Sequence, residues 1–136
     1  MSASTPTSRG SCFCQAVQYE VRGELGSISN CHCTDCRRSH AAAFATYIDA
    51  PREGFKFTKG EKNLTTYQAS SGTKRSFCGT CGTILICHGE GFFELSASTL
   101  DTPFERRPEW HGYVRSKAPW YDILDGKPQH KTTKDA

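Results

Sequence analysis

Short stretches of alternating apolar and polar residues recur along this chain. Val17, Tyr19 and Val21 alternate with polar neighbours, the period of two that is typical of a half-buried strand. Further short stretches that are rich in β-branched and aromatic residues occupy residues 44–48, 55–58, 64–67, 83–87 and 92–97. Residues 83–87 are apolar almost throughout, which is typical of a strand buried on both faces. No segment carries a long amphipathic helix, so the pattern predicts a mainly β protein of short strands and loops.

The rest of the chain predicts one small domain between two tails. Three alanines within Arg38–Ala43 favour a short helix after Cys36. Residues 1–10 and 126–136 are polar and lack a periodic apolar pattern, so we expect both to be flexible tails. The domain is then expected to span residues 11–125, and a chain of 136 residues has the length of one domain.

Charge and hydropathy narrow the choice of partners. The chain has 17 Lys and Arg against 14 Asp and Glu, a net charge of +3 that is too small and too dispersed to favour nucleic acid as the partner. No apolar run approaches the ~20 residues that cross a bilayer, so we expect no membrane span. Residues 1–10 do not have the pattern of a signal peptide, and we therefore expect a cytoplasmic, reducing location.

Cysteine is the most unusual component, with eight in a chain of 136 residues. Seven of the eight fall in three clusters, Cys12-Phe13-Cys14, Cys31-His32-Cys33-Thr34-Asp35-Cys36 and Cys78-Gly79-Thr80-Cys81-Gly82. A disulfide set or ordinary buried thiols would also use eight cysteines, but a reducing location favours metal thiolates. The eighth, Cys87, lies in an apolar run and is expected to be a small buried residue.

The spacing is compatible with two metal sites. The C-x-C of the first cluster and the C-x-x-C of the third together supply four thiolates, enough for a closed tetrahedral zinc site. Cys31, Cys33 and Cys36 would then form a three-ligand site with one coordination position left for water or substrate. Spacing does not force this division. The middle cluster could instead pair with the third and leave the first over, or the chain could hold one zinc beside spare thiols, as in a zinc ribbon.

Several histidines compete for a role at the second site. His40 lies four residues after Cys36, a ligand-like spacing, and His88 lies at the end of a predicted strand. Either would close the three-cysteine site as a fourth ligand. His32 lies between two cysteines, so in an extended segment its ring would point away from them.

With these clusters in view, the sequence resembles the glutathione-dependent formaldehyde-activating enzyme family, which also includes centromere protein V. The resemblance covers about residues 10–128 and rests on the segments Gly10-Ser11-Cys12-Phe13-Cys14-Gln15-Ala16-Val17, Cys31-His32-Cys33-Thr34-Asp35-Cys36-Arg37-Arg38-Ser39, Phe77-Cys78-Gly79-Thr80-Cys81-Gly82-Thr83 and, more weakly, Ser116-Lys117-Ala118-Pro119-Trp120. It implies a β-tent fold of small stacked antiparallel sheets organised around zinc. It also implies that the domain is a zinc-binding catalytic domain.

The resemblance implies a set of ligands and an activity. A structural zinc would be held by Cys12, Cys14, Cys78 and Cys81, and a catalytic zinc by Cys31, Cys33 and Cys36. The activity would be that of a carbon–sulfur lyase acting in formaldehyde detoxification. It makes or breaks thiol adducts of small carbonyl compounds, such as S-(hydroxymethyl)glutathione, with glutathione as co-substrate. The alternative is a non-catalytic zinc module that binds protein or nucleic acid.

The remaining expectations concern the pocket. Arg37, Ser39 and Trp120 are candidates for binding the substrate, and Arg37, Arg38 or Arg115 could bind the carboxylates of glutathione. The sequence offers five candidate proton donors and does not choose among them: His40, His88, His111, Glu90 and Glu94. We expect a small-molecule substrate and a thiol as partners, and neither a membrane nor nucleic acid. The sequence leaves open whether the chain forms a homodimer.

Overall fold

The computed structural model describes residues 5–134 and is mainly β, as predicted. Its ten strands are β1 (Thr7–Ser11), β2 (Gln18–Arg22), β3 (Ile28–Cys31), β4 (Ala45–Asp49), β5 (Phe55–Lys59), β6 (Leu64–Gln68), β7 (Lys74–Cys78), β8 (Ile84–Gly89), β9 (Phe92–Ser96) and β10 (Trp110–Gly112). One α-helix, α1, spans Thr34–His40, and four single 3₁₀ turns complete the regular structure of these residues. No helix within residues 5–134 is long and apolar enough to span a membrane.

The chain divides into two compact units that are each assembled from separate stretches of sequence. Of the described residues, the first unit contains 5–26 and 48–104, and the second contains 27–47 and 105–134. The boundary falls within β4, at Tyr47 and Ile48. The expected domain over residues 11–125 stays a prediction.

In the first unit, antiparallel strands form two separate hydrogen-bonded sets. One sheet has the order β1-β2-β5, and the strands β9-β8-β7-β6 are hydrogen-bonded in that order. Leu85, Ile86 and Cys87 are all buried in β8, which confirms the expectation of a strand covered on both faces. Tyr19, fully buried in β2, packs its ring on Phe55 with the centroids 5.2 Å apart.

Strand β1 lies where the sequence predicted part of a flexible tail. Residues Thr7–Ser11 pair antiparallel with Gln18–Arg22. Gly10 lies opposite Tyr19, and a Cβ at Gly10 would come within 2.2 Å of the tyrosine ring. The strand carries no large apolar side chain. Gly10 instead leaves free the space that the Tyr19 ring occupies in the core. Residues 1–4 of the predicted tail lie outside the described part of the chain.

The second unit pairs two short parallel strands beside the helix. Residues Trp110–Gly112 of β10 lie alongside Ser29–Cys31 of β3. Residues of the predicted C-terminal tail lie beside β10, where His111 exchanges backbone hydrogen bonds with Pro128 and His130. Residues 135–136 of that tail lie outside the described range.

Helix α1 begins earlier than the sequence predicted. It starts at Thr34 with Cys33 as its N-cap, and the Cys33 sulfur accepts a hydrogen bond from the Cys36 N–H. It ends at His40, and the C-cap residue Ala41 is left-handed, with a φ of 51° and a ψ of 49°. The three alanines that suggested the helix therefore follow it, and the helix instead carries Cys36 on its buried side.

Candidate metal centres

Two groups of cysteine sulfurs are close enough to hold a metal ion. Within each group the sulfur atoms lie within 4.8 Å of one another. One group consists of Cys12, Cys14, Cys78 and Cys81, and the other consists of Cys31, Cys33 and Cys36. The structure thus brings the seven clustered cysteines together in the same four and three that the sequence suggested. Four thiols at this separation suit tetrahedral zinc, and three suit a metal with a further coordination position.

The four-cysteine group lies between two turns of the first unit. The Val17 N–H donates to the Cys12 sulfur at 3.3 Å, and the Thr80 N–H donates to the Cys78 sulfur at 3.3 Å. Such N–H donors favour the thiolate, which is the form that binds metal. A hydrogen bond from the Thr83 hydroxyl, 3.2 Å from the Cys81 sulfur, lowers the pKa of Cys81 to about 5.

Glycines shape the second of these turns in two different ways. Gly82 has a φ of +82° and donates its N–H to the Cys78 carbonyl at 2.8 Å. Gly79 does not have a positive φ, but its Cβ would lie 2.9 Å from the Asn63 carbonyl oxygen. Gly82 is therefore needed for a positive φ, and Gly79 is needed for a close approach of two backbone segments.

The three-cysteine group lies where β3 meets α1. Cys31 is the last residue of β3, Cys33 is the N-cap, and Cys36 is buried in the first turn of the helix. The Cys33 thiol raises the pKa of Cys31 to about 12, and the pKa of Cys36 is raised by both neighbouring thiols. Three thiols packed together hold their protons because adjacent thiolates repel each other. A bound cation reverses this balance, so the donor set fits a metal ion.

The two histidines that were candidates for a fourth ligand, His40 and His88, form hydrogen bonds with other side chains. His40 Nε2 lies 2.6 Å from the Tyr47 hydroxyl, and His88 Nε2 lies 3.1 Å from the Ser76 hydroxyl. Within residues 5–134, neither belongs to the group of three sulfurs. The group therefore offers three protein ligands from the described part of the chain.

A cavity of about 270 Å³ borders the helix that carries Cys36. It is lined by Thr34, Arg37, Arg38, Ala41, Ala42 and Trp120. Arg37 and Trp120 were both predicted to bind substrate, and Trp120 is 69% exposed. Ser39 was predicted with them, but its hydroxyl donates to the Asp35 carbonyl at 2.7 Å, one turn back in the helix. Two other cavities of about 640 Å³ occur in the first unit, and their linings contain no cysteine.

The candidate proton donors are distributed over both units. In the first unit, Glu90 is exposed in the turn between β8 and β9, and burial raises the pKa of Glu94 to about 7. In the second unit, His111 is buried and its Nε2 lies 2.8 Å from a carboxylate oxygen of Asp125. Asp125 was not among the predicted site residues, because it lies 14 positions from His111 and no local spacing connects the two.

Comparisons with known proteins agree with this arrangement. The sequence model of the glutathione-dependent formaldehyde-activating enzyme family matches residues 7–116, which include both groups of cysteines. A crystal structure of a Rhodobacter sphaeroides protein, a structural genomics target, is similar with a TM-score of 0.58 and 29% sequence identity. That similarity covers 72% of this chain and 92% of the other. No curated protein matches the chain.

Proposed function

The chain belongs to the glutathione-dependent formaldehyde-activating enzyme family, and on this basis we propose that it is a zinc-dependent carbon–sulfur lyase. It would make or break thiol adducts of small carbonyl compounds, with S-(hydroxymethyl)glutathione as the representative substrate. In the forward direction a C–S bond forms between the thiol sulfur and the carbonyl carbon. The proton of the thiol ends on the former carbonyl oxygen, and the reverse reaction breaks the same C–S bond. No oxidant or reductant is needed.

The group of three sulfurs is the observation that carries this proposal. Cys31, Cys33 and Cys36 are the described residues of that group, and three protein ligands are typical of catalytic zinc. We assign the second zinc, held by Cys12, Cys14, Cys78 and Cys81, a structural role because four thiolates close the coordination shell. The protein would therefore hold two zinc ions per chain.

A zinc ion held by three thiolates supplies a position that favours a soft ligand and its deprotonated form, such as the thiolate of glutathione. The chain's own residues bind and orient the rest of that molecule. The cavity beside α1 carries Arg38, whose exposed guanidinium suits one of the two glutathione carboxylates. Trp120 offers an exposed ring at the same cavity against which the peptide can pack.

The test combines zinc stoichiometry with a direct assay of the exchange reaction. Zinc per chain is measured by elemental analysis of protein that has not met a chelator. Exchange between formaldehyde and its glutathione adduct is followed by NMR with ¹³C-formaldehyde, against the uncatalysed rate. We expect about two zinc ions per chain and an exchange rate that increases in proportion to enzyme concentration.

Two variants separate the proposed role of the open site from general damage. Cys36→Ser should lose one zinc and the catalysed exchange and should keep its circular dichroism spectrum. Cys87→Ala removes a buried thiol that belongs to neither group and should keep both zinc ions and the activity. A wild-type protein with two zinc ions and no effect on exchange would contradict the lyase proposal. DNA binding that weakens steeply with salt would then favour the binding-module alternative.

A further inference from the structure

A chain of three polar side chains runs through the second unit beside the three-cysteine group. His32 Nε2 lies 2.8 Å from His111 Nδ1, and His111 Nε2 lies 2.8 Å from the Asp125 carboxylate. His32 is 0% exposed and His111 is 2% exposed, whereas the side chain of Asp125 is 43% exposed. The chain thus leads from a carboxylate in contact with solvent to an imidazole in the core.

With both imidazoles neutral, the carboxylate fixes the direction of both hydrogen bonds. A carboxylate accepts hydrogen bonds, so His111 carries its proton on Nε2 and donates it to Asp125. The Nδ1 atom of His111 is then an acceptor and takes the Nε2–H of His32. Reversing one ring would set two N–H groups, or two lone pairs, against each other. The tautomers of both histidines therefore follow from Asp125.

The ring that ends this chain belongs to the segment that carries two of the three cysteines. His32 lies between Cys31 and Cys33, and its backbone N–H donates to the Gly112 carbonyl at 2.9 Å. The His32 ring also packs on Phe44, with the ring centroids 4.9 Å apart. Backbone and side chain of His32 are both attached to the β10 segment, so rotation of the Cys31–Cys33 segment would break two hydrogen bonds to it.

Burying two imidazoles has a cost that an apolar pair would avoid, because each ring nitrogen must be desolvated. His32 Nδ1 is buried without a hydrogen-bond partner among the described residues. In return for this cost, the polar chain fixes the orientation of the His32 ring and of the backbone that carries it. An apolar residue at position 32 would fill the space, but it would not fix the rotation of the backbone between two sulfurs.

We propose that Asp125, His111 and His32 form a positioning chain that holds Cys31 and Cys33 in the geometry that binds the metal. His32 and His111 are then positioning residues, since they act through the cysteine segment. The inference rests on the proposed function, because it requires a metal at the three-cysteine group. It also links the segment around Asp125, more than ninety residues after Cys33 in the sequence, to the retention of that metal.

The experiment compares truncation of Asp125 with truncation of a matched carboxylate. Asp125→Ala removes the acceptor at a partly exposed position and leaves no core cavity. The control is Glu109→Ala in the same unit, where the side chain is 47% exposed and accepts a hydrogen bond from the Ile28 N–H. His111→Phe is a second variant, which keeps an aromatic ring and removes both hydrogen bonds.

Two measurements are made on each zinc-loaded protein. Zinc release to a chelating indicator is followed in time, and the phase absent from Cys36→Ser identifies the three-cysteine site. The ¹⁵N chemical shifts of the histidine rings report the tautomers, which a loss of stability alone does not change. In the wild type, we expect protonated Nε2 and bare Nδ1 for both His32 and His111.

We expect Asp125→Ala and His111→Phe to release zinc from the three-cysteine site about tenfold faster than the wild type. Tenfold is the lower end of the loss of metal affinity that follows when residues that orient metal ligands are mutated. Release from the four-cysteine site should not change, and Glu109→Ala should match the wild type. His111 should become a mixture of tautomers in Asp125→Ala. An unchanged release rate and tautomer in Asp125→Ala would overturn the inference. A wild type that shows only one release phase would refute the open zinc site, and the positioning chain with it.

Discussion

Arg37 and Arg38 are neighbours in α1, but the structure gives them different environments. Arg37 Nη1 donates to the Ser116 carbonyl at 2.9 Å, so this guanidinium joins the helix to the turn Val114–Ser116. The Arg38 side chain is exposed at the cavity. An arginine that already holds a backbone carbonyl has fewer donors for a substrate, so we assign carboxylate binding to Arg38.

Arg38→Gln should therefore weaken substrate binding more than it weakens the fold. We expect KM for the glutathione adduct to rise about three- to tenfold with kcat nearly unchanged, since one exposed charge-assisted hydrogen bond is lost. Arg37→Gln is the matched variant and should mainly lower the free energy of unfolding. Steady-state kinetics and urea denaturation of both proteins separate the two effects. A larger rise of KM in Arg37→Gln would reverse the assignment.

Gly82 offers a second test at a single position. Its φ of +82° strains any residue with a Cβ, yet no atom within 4 Å would meet that Cβ. Gly82→Ala should therefore lower the free energy of unfolding by about 1–2 kcal/mol through backbone strain alone. Gly82→Asn is the control and should lose less, because asparagine tolerates left-handed backbone. Urea denaturation measures both, and an unchanged Gly82→Ala would contradict this explanation.

Among the elements, the β8–β9 hairpin contains a carboxyl group in an unfavourable setting. Glu94 of β9 lies opposite Cys87 of β8. Burial, and then the negative charge of Asp49, raise the pKa of Glu94 to about 7, and Arg75 opposes this only in part. The folded protein thus binds the Glu94 proton more tightly than the unfolded chain does.

The sign of the pH dependence follows from this difference. Between about pH 4.5 and 7 the unfolded chain loses the Glu94 proton before the folded protein does, so stability falls as pH rises. Glu94→Gln should therefore be more stable than the wild type above pH 7, by about 1–2 kcal/mol once solvent screening is allowed for, and similar to it near pH 4.5. Urea denaturation at pH 5 and 8 tests this, with the exposed Glu90→Gln as control. Equal differences at both pH values would contradict it.

At the scale of the whole molecule, the sequence predicted the strands in which apolar residues alternate or cluster. Strands β2, β4, β5, β6, β8 and β9 all lie at predicted stretches. Strands β1, β3, β7 and β10 were not predicted. In β7, the buried residues include Arg75 and Ser76, and in β10 they are His111 and Gly112. Polar residues that are buried in a sheet leave no hydrophobic pattern, because the pattern reports side-chain chemistry and not backbone pairing.

The candidate sites show the same division. Cysteine clusters are recognisable in sequence because their cysteines are close together within each motif. The chain of Asp125, His111 and His32 was not recognised, because its members are separated by 14 and 79 residues and no local spacing connects them. Residues that are joined only by tertiary structure require the fold.

The two proposed metal sites should differ in what they contribute to the stability of the chain. A metal at the four-cysteine group links Cys14 to Cys78 across 64 positions of sequence, whereas the three-cysteine group closes only the short loop Cys31–Cys36. When the metal stays bound to its cysteines on unfolding, closing the longer loop removes more entropy from the unfolded chain, by about 2 kcal/mol. Loss of the four-cysteine site should therefore destabilise the protein more than loss of the other site.

Cys14→Ser and Cys33→Ser test this difference with little other damage. Cys14 is exposed, so no core cavity forms, and serine at position 33 can still cap α1. We expect Cys14→Ser to lose about 2 kcal/mol more of the free energy of unfolding than Cys33→Ser, with each variant retaining one zinc. Urea denaturation and elemental analysis on the same samples measure both quantities. Equal losses would mean that the four-cysteine metal does not constrain the unfolded chain, because only that constraint depends on loop length.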